Sequence, residues 1–370
     1  MTMLKTWIDR TFDAATRRLD GPLMVTLIVL SALSMTVVYS ASGGASFDRA
    51  LGQLRNFAVA LIALWIIANI PPQQLMRLAI PIYVVGMLLL IGVAVGGEIR
   101  NGARRWLHIG VTIQPSEIMK IGVPLMLAWY FHRKEEGLEL KDFAIAGLIL
   151  MLPVGLVVRQ PDLGTAILIF ASGFFVIFLA GLSWKVILGG VIAGGAALPL
   201  AWSFMHEYQK RRIYTLLDPT EDPLGAGYHI IQSTIAIGSG GVLGKGWLNG
   251  SQAQLDFIPE RSTDFILAVF GEEFGLLGNL LLLTLYLIII GRGLMIAINA
   301  PTTFSRLLGG AVTLTFFTYA FVNIGMVSGI LPVVGVPLPL ISYGGTAILS
   351  MLVGFGILMS ISTHKQLVST

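Results

Sequence analysis

Residues 78–96 read LAIPIYVVGMLLLIGVAVG, nineteen positions without a charged side chain. A run of this length crosses hydrocarbon as an α-helix, because about 20 residues at about 1.5 Å each match the bilayer core. Its apolar residues are continuous rather than alternating, so it is not a membrane barrel strand. Comparable runs lie at 22–41, 53–70, 116–132, 143–158, 163–181, 186–204, 267–297, 304–328 and 339–362. The expected fold class is therefore all-α and polytopic, with about ten transmembrane helices in a single membrane domain over 1–370. The 267–297 run is long enough to tilt or to extend past the bilayer.

Composition agrees. Of 370 residues, 55% are hydrophobic and only 12% charged, against about 25% charged in a soluble domain. A soluble nucleic-acid binder, a disordered chain and a disulfide scaffold are excluded. With no cysteine, thiolate metal sites and cysteine nucleophiles are excluded too. The charged segment 1–20 has no apolar core ending in a cleavage site, so the first run is expected to remain as a span.

Orientation follows from Lys and Arg. With the N-terminus inside, the inner segments hold twelve and the short outer loops six. Tails 1–20 and 363–370 are then expected in the cytoplasm, and 205–264 forms a large extracytoplasmic loop between the seventh and eighth spans. That loop is rich in turn residues, with helix expected near 228–237. Its stretch from Gly238 to Gly246 looks like a phosphate loop but fails the template: Ser239 stands where the first glycine belongs, and Gly246 follows Lys245.

Charges inside or beside hydrocarbon are costly and mark pairs or wet cavities. Glu117 and Lys120 are three apart on one helix face. They either lock the span as an ion pair or line a polar cavity. Glu272 and Glu273 are adjacent within a span, so at least one must face protein or water. Asp264 closes the long loop where the eighth span begins. It either caps that helix or sits half desolvated as a general base. Arg159, Gln160, Pro161 and Asp162 form a tight outer connector. The five histidines are scattered, which argues against zinc.

Taken together, these segments resemble the SEDS family (shape, elongation, division, sporulation). The resemblance is carried by Gln114-Pro115-Ser116-Glu117 with Lys120, Gln160-Pro161-Asp162-Leu163-Gly164-Thr165, Gln232-Ser233, Thr263-Asp264-Phe265-Ile266 and Ile341-Ser342-Tyr343-Gly344-Gly345. The stretch Ser328–Pro339 is similar to the elongation branch rather than the division branch. The resemblance implies a peptidoglycan glycosyltransferase of the bacterial cytoplasmic membrane that polymerises lipid II. It also implies that the family's essential aspartate is Asp264.

Such a reaction needs one base for the acceptor hydroxyl and charge stabilisation for the departing diphosphate. Arg104, Arg105, Arg159, Lys210, Arg211, Arg212 and Lys245 are candidates for diphosphate contacts, with Glu260 and Asp162 as further polar candidates. No organic cofactor is expected; a divalent cation, Mg or Mn, could assist. The implied partners are a class B penicillin-binding protein transpeptidase and other elongation-complex proteins, with no nucleic acid. Gly309, Gly310 and Gly325 suggest a docking face for the transpeptidase helix on the eighth or ninth span. The competing readings are a flippase for the lipid-linked precursor and a non-catalytic scaffold.

Overall fold

The computed structural model describes residues 19–44, 47–100, 103–109, 111–134, 137–205, 207–221, 225–255, 257–258 and 260–364. Of the two expected tails, residues 1–18 and 365–370 lie outside the described residues. The first seven helices are α1 (Gly21–Ala41), α2 (Asp48–Ala68), α3 (Pro72–Gly96), α4 (Pro115–His132), α5 (Leu140–Val158), α6 (Leu163–Leu179) and α7 (Trp184–Phe204). The 205–264 segment folds as α8 (Glu207–Leu217), a 3-10 turn, α9 (Ala226–Ser239) and the short α10 (Ser251–Gln254). Three more helices follow: α11 (Ile266–Ile298), α12 (Thr303–Val327) and α13 (Gly345–Thr363).

Seven of these helices, α1, α2, α3, α5, α11, α12 and α13, are long and apolar enough to cross a membrane. α6 and the first part of α7 are shorter apolar helices, and α4 carries Glu117 and Lys120. Local chemistry sets the helix starts. Asp20, Asp162 and Thr302 accept first-turn amides of α1, α6 and α12, and Pro72 and Pro115 stand where no amide bond is lost. α13 packs along α2, and α12 packs against α11, α6 and α4. Leu27, Leu64, Phe270 and Phe355 fill the interior, whereas Leu88 and Val95 are 63% and 79% exposed. Large apolar side chains facing outward on this scale need lipid, not water, around them.

The structure departs from the helical pattern in three places. First, the connector between α3 and α4 is a small antiparallel sheet of β1 (Glu98–Arg100), β2 (Ala103–Ile109) and β3 (Val111–Ile113). Strands this short leave no apolar run to read; they satisfy their backbone groups in the ladder.

Second, α11 is broken at Gly275 (φ 64°). The loop from Gly240 to Gly246 docks into the break. Leu276 and Leu277 amides donate to the carbonyls of Gly241 and Val242 at 3.0 and 3.1 Å, and Lys245 and Gly246 amides donate to those of Glu272 and Glu273, each at 3.0 Å. A Cβ on Gly275 would lie 2.7 Å from the Val242 carbonyl oxygen, so close approach and positive φ both require glycine. The long run therefore breaks rather than simply tilting.

Third, the final helix begins at Gly345, not at 339. Pro332, Pro337 and Pro339 keep 328–344 out of a helix. Non-helical backbone inside a membrane protein must be satisfied by protein. Here Tyr286 Oη donates to the Pro339 carbonyl (2.7 Å), Ser34 Oγ to Ile341 (2.8 Å) and Asn323 Nδ2 to Val336 (2.7 Å).

Candidate active site

Asp264 sits in the turn leading into α11 and is held from several elements. Asn323 Nδ2 on α12 donates to its carbonyl at 2.8 Å, and the same amide group holds Val336. Ser342 Oγ donates to the Thr263 carbonyl at 2.6 Å, and the Tyr343 amide to that of Ser262 at 2.8 Å. A Cβ built on Gly335 would lie 3.3 Å from Asp264 Oδ2, so the carboxylate faces the 328–344 segment. Burial pushes its pKa up, the Glu260 charge adds to this and the Arg212 guanidinium opposes it, leaving it at about 6. Glu260 itself receives Thr263 Oγ1 at 2.8 Å. α8 thus brings Arg212 to the side of the site formed by the long segment, while Lys210 and Arg211, two and one positions before it, point to other faces of the helix.

One turn deeper, Glu117 and Lys120 do more than pair. Lys120 Nζ donates to Glu117 Oε1 and to Tyr319 Oη, both at 2.7 Å. Ser350 Oγ donates to Glu117 Oε2 at 2.8 Å. This network joins α4, α12 and α13. Lys120, Thr315, Tyr319 and Ser350 are the polar residues lining an otherwise apolar pocket between these helices. Tyr319 lies four residues before Asn323, about 6 Å down the same face of α12. The ion pair and the aspartate's support are therefore read out by one helix face.

The other sequence candidates divide. Asp162 caps α6 through the Thr165 amide (3.2 Å) and pairs with Arg105 (3.6 Å), while Arg105 Nη2 also donates to the Pro161 carbonyl (2.7 Å). Gln160 is buried and reaches the Leu90 carbonyl. Gly164 packs on the Val334 carbonyl with no room for a side chain, so this connector buttresses the wall opposite Asp264. Arg104 and Arg159 are exposed. Lys245 is engaged elsewhere: its Nζ lies 2.7 Å from Glu272 Oε1 and 2.9 Å from Ser251 Oγ. Glu272, 0% exposed, also accepts the Gln252 amide, and Glu273 accepts Ser40 Oγ. Both acids face protein, and they fasten the 240–252 loop into the break of α11. The α12 glycines are packed internally, Gly309 against Ala297 and Gly325 against Leu331, so a partner helix cannot dock on them.

The described residues contain no group of three or more His, Asp or Glu side chains that could hold a metal ion. A divalent cation held by one or two carboxylates and a substrate diphosphate needs no such group.

Residues 21–367 match the family of cell cycle proteins represented by FtsW, RodA and SpoVE. The chain belongs to this family. It is 52% identical over 355 residues to the peptidoglycan glycosyltransferase MrdB of Escherichia coli K12, covering 95% of each chain. It is 33% identical to the stage V sporulation protein E of Bacillus subtilis, covering 94% of this chain and 98% of that one. Among solved structures, it is similar to a chain from a study of how a peptidoglycan synthase complex coordinates polymerization and crosslinking (TM-score 0.81, 32% identity, 94% of this chain and 99% of that one). It is also similar to the Thermus thermophilus rod shape determining protein RodA (TM-score 0.70, 28% identity, 93% of this chain and 96% of that one). The SEDS resemblance is borne out, and the chain is a multi-pass membrane protein with the RodA-like fold.

Sequence reasoning missed Tyr319, Asn323 and Ser350. A lone asparagine four residues after a tyrosine in an apolar run was the available signal for the first two. Ser350 is one small hydroxyl among several in α13, and nothing in its spacing distinguished it.

Proposed function

We propose that this chain is a peptidoglycan glycosyltransferase that polymerises lipid II at the outer face of the bacterial cytoplasmic membrane during elongation, with Asp264 as general base. The observation that carries the reading is the Asp264 carboxylate: half-buried, raised to about 6, and fixed at the membrane rim between the long segment and the 328–344 wall. At neutral pH such a group is mostly ionised yet basic enough to take a proton in a transition state. The acceptor sugar's hydroxyl oxygen forms a bond to the donor's anomeric carbon, and its proton passes to Asp264. The bond from that carbon to the lipid diphosphate breaks, and the diphosphate leaves with the electron pair. Arg212 supplies positive charge where the diphosphate gathers negative charge. The Lys120–Glu117–Tyr319 network lies about one helical turn from Asn323, which holds the Asp264 carbonyl.

The relatives' activity and the 52% identity to MrdB support this reading. So does the location of the charges: the aspartate and the α8 cations sit at the rim, where a flippase would need them at the midplane. Both termini are cytoplasmic in this proposal. Its partner is a class B penicillin-binding protein transpeptidase, because polymerised strands need a separate activity to join their peptides. The partner's helix docks on the lipid-facing stripe of α11 that carries Leu276, Leu280, Leu283 and Leu287, all exposed. The test is the purified chain incubated with lipid II alone. Glycan polymer on a gel is expected; unconsumed lipid II from folded protein would reject the activity.

A further inference from the structure

At the end of the bundle opposite Asp264, a pocket of about 410 Å³ opens between the last turns of α4, α6 and α11 and the first two turns of α12. Phe131, Leu179, Leu294 and Leu307 make its wall, and Ile298 lies at its edge. Thr303 and Arg306 are the polar side chains among the described residues that line it, and no acid is among them. Arg306 is exposed, in the first turn and a half of α12, and its Nη2 donates to Thr303 Oγ1 at 3.2 Å. A guanidinium at headgroup height above an apolar recess matches an amphiphile with a phosphate and a hydrocarbon tail. A partner helix, about 10 Å across, does not enter a recess of this size, whereas an acyl chain does.

We propose that this pocket binds one acyl chain of an anionic membrane phospholipid, with Arg306 on its phosphate. A zwitterionic lipid carries an ammonium that neutralises its own phosphate and so competes poorly for the guanidinium. With the orientation proposed above, the lipid comes from the cytoplasmic leaflet; the pocket itself does not depend on the catalytic reading.

The experiment is native mass spectrometry of the purified full chain with equimolar dioleoyl phosphatidylglycerol and dioleoyl phosphatidylethanolamine. Wild type is expected to retain one phosphatidylglycerol in preference. Arg306→Gln should reduce that preference about five-fold, the worth of one basic residue at an anionic surface. Ile298→Trp, at a 74% exposed position, should block the opening and lower retention of both lipids. Thermal unfolding of both variants checks that they are folded. Equal retention of the two lipids by wild type, an unchanged preference in Arg306→Gln, or unchanged retention in folded Ile298→Trp would each overturn the proposal.

Discussion

Asp264 owes its basicity to the burial that desolvates it and to Glu260, which repels its charge, while Arg212 opposes both. A base works only when deprotonated, so polymerisation by the wild type should fall as pH drops through about 6. Glu260→Gln removes a like charge and should move that limb to lower pH. Arg212→Gln removes the opposing cation and should move it to higher pH. Initial rates from pH 5 to 8 on the three proteins decide the matter, and superimposable limbs would refute this electrostatic picture. The pair Glu117–Lys120 poses a different question, because either charge left alone in the bundle is the costly state, by about 3–5 kcal/mol. Glu117→Gln and Lys120→Met singly should lower thermal stability and activity. The double variant should regain stability but stay inactive, because Tyr319 and the cavity lose their cation. Full recovery of activity in the double variant would reduce the pair to a structural lock.

Among the elements, α11 depends on its break. Gly275 frees backbone groups that the 240–246 loop takes up, and Lys245 neutralises Glu272 beside them. Lys245→Met would strand a buried carboxylate and should cost about 3–5 kcal/mol, seen as a lower melting temperature. Combining it with Glu272→Gln should restore much of that loss; no restoration would mean that the ion pair is not what fastens the loop. This element also shows how far the sequence could be read. The span at 267–297 was legible from its apolar length, and the pair of glutamates announced a polar contact. The break was hidden, because a glycine inside an apolar run has the same appearance whether it packs or kinks. Likewise the span expected at 339–362 took in the end of the 328–344 wall, and only Pro332, Pro337 and Pro339 hinted at that wall. Asp264 could be found from its place at the loop's end and from the family motif. Its supports could not, because Asn323 reaches its carbonyl across 59 residues and Ser342 reaches the Thr263 carbonyl across 79.

For the whole molecule, Arg292 near the end of α11 grips Asp20 at the start of α1, with its Nη2 2.6 Å from Oδ2. That contact places the start of α1 at the face opposite Asp264, consistent with an odd number of crossings between them. The chain has no cysteine, so single cysteines report topology cleanly. Arg159→Cys should react with a membrane-impermeant maleimide in intact spheroplasts, and Lys185→Cys only after lysis; the reverse pattern would invert the orientation and move the site to the wrong side for lipid II. The proposed reaction turns on Asp264 as its base. Its most direct test compares purified wild type with Asp264→Asn, each incubated with lipid II and resolved as glycan length on a gel. Asn keeps the side chain's size and relieves a carboxylate whose raised pKa means that its charge costs stability above about pH 6 and nothing below about pH 4. The variant should therefore melt no lower than wild type at pH 7 and yet make no polymer, whereas polymer of wild-type length and yield from Asp264→Asn would contradict the account.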